Sequence, residues 1–566
     1  MGKLNRPQTR NRRDLIREDA KLNFEGGLSY STDKATEFYM GVLGCMWGEP
    51  KFYGKQQDDS VGVVDGVPAF LGEVEAAIWR LAHELDPEFV LKMAAYARNE
   101  MHVRTVPQVL LTIVANRPDL IGEPKPYIGY YGPMIMQRAD EVMEVVACQL
   151  GLFGRTMRPS LRKAIASRLN AMSEYEAIKY KRPNADVSMV DVLNLVHPKP
   201  NNKVSAAIFR WLVTGEIDSN VIPKIAAMEK LLDCDELNDE AIALAREADA
   251  TWEVMVSKFG NDARVWDAAK LPYMATLRNL RNLIAAGVDM RPHLDLIANR
   301  DAVLRSKQYP FRFLAAYNEL RRTIEPLRHS HGIFNCWDDK EVQLPKSKVY
   351  KALAAISDAL EASVGNLPYL LGRTLIAVDT SSSMTRASIS KRSVMRYVDI
   401  AAAMAAIASN ICEDSRVMRF DSIATYMDFP PTANVMDKLS TMYEIASGGA
   451  TYGYKVFEKL SQKKDFYDRV IIISDMQIYS DDDDPAPGYI RKFRSEFVSE
   501  FRRYQRRVNS DVRLVAINLA GWNDIPVPQE EVLCLSGWSE RLFDLIPAWE
   551  EDGKTAVERI ENWRQK

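Results

Sequence analysis

The chain has 566 residues, of which 47% are hydrophobic and 27% charged, with a net charge of −3. That length supports more than one well-packed core, so two or more domains are expected. The charge balance excludes overall attraction to nucleic acid, and any such contact has to come from a local basic patch.

Residues 1–24 form a basic tail, with a run of Lys and Arg between positions 3 and 17. It lacks the apolar centre of a secretory signal and is expected to be flexible in isolation. No apolar stretch is long enough to span a bilayer, so no membrane role is expected. Six cysteines (Cys45, Cys148, Cys234, Cys336, Cys412, Cys534) are scattered without a C-x-x-C pair. They predict reduced, mostly buried thiols and a cytoplasmic protein. Residues 45–59, CMWGEPKFYGKQQDD, set Trp47, Phe52 and Tyr53 among charges. Bases can stack on such rings, but a loop with its aromatics tucked in is the expectation.

From about Phe38 to about Asn366 the pattern is helical. FLGEVEAAIWRLAHEL, PQVLLTIVAN, MQRADEVMEVVACQL, YMATLRNLRNLI and YPFRFLAAYNEL repeat apolar residues at three- and four-residue steps. Short Pro-containing or polar breaks separate them, which predicts antiparallel helix pairs stacked as a degenerate solenoid. Residues 155–182 carry eight basic side chains (Arg155, Arg158, Arg162, Lys163, Arg168, Lys179, Lys181, Arg182) against Glu174 and Glu176, a local balance of +6. By charge alone this is either a phosphate-binding patch or a solvated helix face. Arg278 and Arg281 form a second basic pair, expected to be ordinary surface.

After Gly372 the grammar changes. TLIAVD, SRVMRFDS, RVIIISD and VRLVAINLA are short β-branched runs separated by helical segments. They predict a doubly wound α/β domain with a parallel sheet, whose ligands bind at the carboxyl ends of the strands. LIAVDTSSSM places Asp379 at such an end, with Ser381 and Ser383 at alternate positions after it. Thr451 follows in the glycine-rich SGGATYG, and Asp475 ends VIIISD. These five oxygen-bearing residues suit a hard divalent cation such as Mg²⁺ that retains several waters. With so few carboxylates the ion would stay electrophilic and seek an acidic group from outside. SGGATYG lacks the G-K-[ST] of a P-loop. No histidine lies in this half to activate a serine. A plain helix cap explains the serines but not Thr451 and Asp475.

The set Asp379, Ser381, Ser383, Thr451 and Asp475 resembles the metal-ion-dependent adhesion site of von Willebrand factor A domains. In the helical half, F-G-R followed by L-R-K-A-I-A, K-Y-K-R and D-V-L-N-L-V-H-P-K-P resembles the TROVE domain of the Ro autoantigen family, as do YMATLRNLRNLI and YPFRFLAAYNEL. The order of the two domains is also that family's. The resemblance implies an all-α, HEAT-like helical-repeat ring over residues 25–366, followed by a von Willebrand A domain over residues 367–566. It implies a monomeric, non-enzymatic RNA-binding protein. Small structured non-coding (Y-like) RNAs would lie on an outer basic surface, with single-stranded ends of misfolded RNAs in the hole. An exoribonuclease would be a partner, and a protein carboxylate would dock at the metal. Carried over by position, Arg155, Arg162, Lys163, Lys179, Lys181 and Arg182 are the RNA-contact candidates, and His197 is expected to pack or cap. The chain departs from the family at Ser188-Met189, where many relatives have Ser-His, and in the 179–188 loop, which is one residue longer.

Overall fold

The computed structural model describes residues 20–23, 28–44, 63–64, 66–68, 71–120, 126–181, 186–269, 271–324, 344–386, 396–430, 432–443, 448–478, 496–537 and 539–564. Residues 1–19 and 24 of the basic tail, the 45–59 loop with Trp47, Phe52 and Tyr53, and Arg182 lie outside them, whereas Ala20–Leu22 of the expected tail is a strand. The chain forms two compact units. One takes the described residues up to Gly44 with Pro368–Arg559, and the other takes those from Val63 to Leu367 with the last described residues from Ile560.

The second unit is helical, and its packing alternates along the chain. Helix Pro87–Asn99 packs against Val106–Asn116 and also against Pro126–Ile135. Val106–Asn116 packs on Ala139–Phe153, and Pro126–Ile135 on Pro159–Asn170. Each helix thus meets its neighbour and the next but one, which is the two-layer stacking of a solenoid. Val106–Asn116 is buried on nearly every side, as its unbroken apolar sequence requires. Arg98 and Glu141, both buried, pair at 2.7 Å across this stack. Glu141 also accepts the backbone N–H groups of Gln137 and Arg138 that open its own helix. No described helix is long and apolar enough to cross a membrane. The four described cysteines carry free thiols, and three of them are buried.

The first unit contains a six-stranded sheet in the order Val532–Ser536, Arg513–Asn518, Arg469–Ser474, Leu370–Asp379, Cys412–Phe420, Ala424–Met427. All neighbours are parallel except the last pair. Every residue of Arg469–Ser474 is buried, as is Thr374 onward in Leu370–Asp379, so both faces of the central strands are covered. Asp379 ends one of the two innermost strands, as LIAVD predicts. The edge strands Ala424–Met427 and Val532–Ser536 add to the four runs read from the sequence.

A larger difference lies near the start of the chain. The helix Lys34–Gly44, whose pattern groups it with the helical half, packs on the sheet strand Val532–Ser536 instead. Ser536 Oγ donates to Met40 O at 2.8 Å. A Cβ on Gly44 would lie 2.7 Å from Gly521 Cα, so this contact requires glycine. The two short strands Ala20–Leu22 and Leu28–Tyr30 form an antiparallel hairpin in the same unit.

The amino end of the sheet is locked by Arg469, which is 2% exposed. Its guanidinium forms a bidentate pair with Glu550 and donates to Thr374 Oγ1 at 2.7 Å. Removing one partner of such a pair leaves an uncompensated buried charge. Glu550→Ala is therefore expected to destabilise this unit by about 3–5 kcal/mol, read as a lowered denaturant midpoint. An unchanged midpoint would show that the pair is dispensable.

Candidate functional site

The carboxyl end of the sheet gathers the oxygen groups singled out in the sequence. Asp379 and Ser381 are fully buried, and Thr451 and Asp475 are each 5% exposed. Asp379 Oδ1 accepts Ser381 N–H at 2.9 Å, which turns the chain immediately after the strand. Ser381 Oγ and Ser383 Oγ then lie 3.2 Å apart. The glycine-rich loop is fastened to this turn by backbone. Ser382 N donates to Gly449 O at 2.9 Å, and Gly448 N donates to Thr380 O at 3.0 Å. Gly448 has φ +74°, and a Cβ on Gly449 would lie 2.5 Å from Ser422 Oγ. Only glycines let this loop come so close. Thr451 is carried in with it, held by Ala450 N donating to Ser422 Oγ and Tyr452 N donating to Asp421 O, both at 3.0 Å.

Asp475 enters from the adjacent strand. Ser474, next to it, donates from Oγ to Asp379 Oδ2 at 2.5 Å. Burial first, and the Asp475 carboxylate second, push the Asp379 carboxyl well above the usual carboxylate range. Two carboxylates and the Ser381 and Ser383 hydroxyls therefore gather at one strand end, with the loop that carries Thr451 fastened beside them, and burial and mutual repulsion disfavour the ionised pair. Hard oxygen donors with unrelieved negative charge fit a divalent cation of the Mg²⁺ class. Among the described residues no group of three or more His, Cys, Asp and Glu side chains could hold a metal, so any ion at Asp379 would depend on the hydroxyls and on water beside the two carboxylates.

Sequence reasoning missed several supporting groups. Ser474 is one. Asp421, a third carboxylate at a strand end, is another: it takes Thr380 Oγ1 at 3.0 Å and pairs with Arg419 at 3.2 Å. The signal for Asp421 was present in R-F-D-S, whose aspartate follows the strand as Asp379 ends its own.

The basic run of the helical unit separates into two kinds of side chain. Arg168 pairs with Glu176 and donates to Gln137 O. Lys181 pairs with Glu229 at 2.9 Å and sits 4.1 Å from the Trp211 ring centroid. Lys179 lies 5.5 Å from the Tyr175 ring. Arg155, Arg162 and Lys163 are exposed, Arg158 is half-buried, and none of the four has a carboxylate partner among the described residues. They surround the start of helix Pro159–Asn170. That helix has no acidic residue in its first turn and no side-chain cap from Arg158. Its N-terminal N–H groups and its dipole therefore add to the cations. Asn170, at the other end, fixes the H-P-K-P loop by donating to Lys199 O at 3.0 Å and accepting Asn201 N–H at 2.8 Å.

His197 is the left-handed cap of Met189–Val196, with φ +48°. Met189 is 2% exposed and packs inward, so a polar side chain is absent from that point of the surface. Arg281 pairs with Glu319 at 3.2 Å, as ordinary surface does.

Comparison with known proteins fits both halves. The TROVE domain matches residues 38–224 and 243–367, more than half of the chain, and the Ro60 vWA domain matches residues 373–517. The RNA-binding protein RO60 of Deinococcus radiodurans is 23% identical over 495 residues, covering 84% of this chain and 86% of that protein. Telomerase protein component 1 of Rattus norvegicus is 24% identical over 334 residues, or 47% of this chain. The match takes in only 12% of that much longer protein. The crystal structure of the Deinococcus radiodurans RO (RSR) protein shares the fold, with a TM-score of 0.63 at 18% identity over 91% of this chain and 100% of that one. The chain belongs to the TROVE-domain family, in the arrangement in which a Ro60 vWA domain follows the TROVE domain.

Proposed function

We propose that this chain is a cytoplasmic, non-catalytic RNA-binding protein whose helical unit takes phosphate at the start of helix Pro159–Asn170. The observation that carries this reading is the cluster of Arg155, Arg158, Arg162 and Lys163, unpaired among the described residues, at a helix end that already attracts anions. Four cations at the positive end of a helix dipole repel each other and the dipole, so the arrangement serves a ligand rather than the helix. The relative named RNA-binding protein RO60 supports RNA as that ligand. Small structured, Y-like RNAs suit a surface that reads backbone more than base, whereas free ends of misfolded RNAs and a tethered exoribonuclease are proposed from the family resemblance alone.

The α/β unit is proposed to hold Mg²⁺ through Asp379, Ser381, Ser383, Thr451 and Asp475. Bound there, the ion would supply an electrophilic position for a partner's carboxylate. The described histidines all belong to the helical unit, and this chain's groups around Asp379 orient and bind.

The test is to mix the purified chain with RNA extracted from its host at low and at moderate salt, and to sequence what is retained. A small set of structured RNAs, weakened by salt, is the expected result. No retained RNA at low salt would replace this reading with a protein adaptor that works through the metal site alone.

A further inference from the structure

The loop after Asp475 is held by the hairpin at the start of the chain, about 450 residues away in sequence. Met476 adopts φ +63°, a conformation that residues other than glycine rarely keep without support. The support comes from both sides. Gln477 N donates to Asp475 Oδ1 at 3.1 Å, so the backbone of Gln477 sets one oxygen of that carboxylate. The side chain of Gln477 donates from Nε2 to Asp524 Oδ2 at 3.0 Å. The other oxygen of Asp524 accepts Ser29 Oγ at 2.8 Å and pairs with Lys21 Nζ at 3.2 Å. Asn23 Nδ2 donates to Ile478 O at 2.7 Å. Tyr30 and Ile525 exchange both backbone hydrogen bonds, at 3.0 and 3.2 Å.

Asn23, Ser29, Gln477 and Asp524 are each at most 7% exposed. In such a network, losing one member leaves buried polar atoms of the next without a partner, and the rest must shift. The path from the hairpin to the candidate metal ligand is short and continuous: Lys21 and Ser29 to Asp524, to Gln477, to Asp475.

We propose that Asp524 and Gln477 are positioning residues through which the N-terminal hairpin sets the Asp475 carboxylate for a divalent cation, so that seating of the hairpin and occupancy of the site are coupled. This rests on the metal-site reading above. Coupling between two sites is reciprocal. If the seated hairpin raises affinity for Mg²⁺, then Mg²⁺ holds the hairpin seated by the same factor.

The experiment uses the full chain and Mg²⁺ itself. Calorimetric titration compares the parent with the hairpin-side double substitution Lys21→Gln with Ser29→Ala, which touches no candidate ligand. Hydrogen exchange of the Tyr30 and Ile525 amides is followed with and without Mg²⁺ in the parent and in Asp379→Ala. The expected result is Mg²⁺ affinity lowered about tenfold by the double substitution, within the ~5–150-fold usual for coupled sites. The two amides should exchange more slowly with Mg²⁺ in the parent and show no response in Asp379→Ala. If the parent binds Mg²⁺ but the double substitution binds it equally and the amides do not respond, the hairpin is structural cover only. The coupling is then overturned while the metal site stands. If the parent binds no Mg²⁺, the metal reading fails and the coupling with it. Should the double substitution fail to fold, exchange in the parent still decides.

Discussion

Replacing Arg155, Arg162 and Lys163 together by Gln is expected to weaken RNA binding steeply and to flatten its dependence on salt. Each phosphate contact on duplex RNA or DNA contributes about −0.9 to the slope of log K against log salt. Three lost contacts therefore make the slope shallower by about 2.7. Between 50 and 200 mM salt, the parent should lose roughly 40-fold more affinity than the variant. Stability should move the other way. The replaced cations sit beside the positive end of helix Pro159–Asn170, so removing them should leave stability unchanged or raise it, by up to about 0.3–1 kcal/mol per charge, read as an unchanged or higher melting temperature. Binding assays at several salt concentrations, with a thermal melt, separate this from a merely solvated face. A solvated face predicts no change in affinity and none in slope. Lys181 is a poor choice for the same experiment: it is bound to Glu229 and Trp211, so its loss would disturb packing as well as charge.

The contrast between Arg162 and Lys181 shows what the sequence carries and what it withholds. Both lie in one basic run, and composition alone treats them alike. Lys181 is claimed by a glutamate 48 residues further on, and no local pattern announces that. The strand-end site was legible because its parts are local: an apolar run fixes the strand, and D-x-S-x-S alternation fixes which oxygens follow it. Thr451 and Asp475 were legible for the same reason, each next to a recognisable loop or strand. The hairpin that reaches Gln477 was not. Its strands have three residues each, and their partners near Asp524 lie almost 500 residues away. Helix Lys34–Gly44 was legible as a helix but not in its allegiance. F-Y-M-G-V-L-G is apolar on every side, which signals full burial without saying against what.

In chelator at pH 8, Asp379→Asn is expected to be more stable to heat than the parent, and with Mg²⁺ the order should narrow or reverse. Burial and the Asp475 carboxylate hold the Asp379 carboxyl above its unfolded value. The unfolded chain therefore releases this proton first as pH rises, and the folded chain pays to ionise a buried group. Stability falls from about pH 4 upward until the folded carboxyl has itself ionised near neutrality, and then levels off. The cost is on the order of 1.4 kcal/mol for each pKa unit of the shift, and Asn escapes it while keeping an acceptor for Ser381 N–H. Mg²⁺ compensates the same charge in the parent. At a hundred times its dissociation constant it should stabilise by about 2.7 kcal/mol, and the Asn variant should not respond. Mg²⁺ affinity should fall as pH is lowered through neutrality, because the ion must displace the proton. Melts at pH 5 and 8, with and without Mg²⁺, test every part. A variant less stable than the parent in chelator at pH 8 would mean that hydrogen bonds from Ser381 and Ser474 already satisfy the carboxylate. A parent whose melt ignores Mg²⁺ at both pH values would mean that the five oxygens form a structural network, and that the α/β unit recruits its partners by other means.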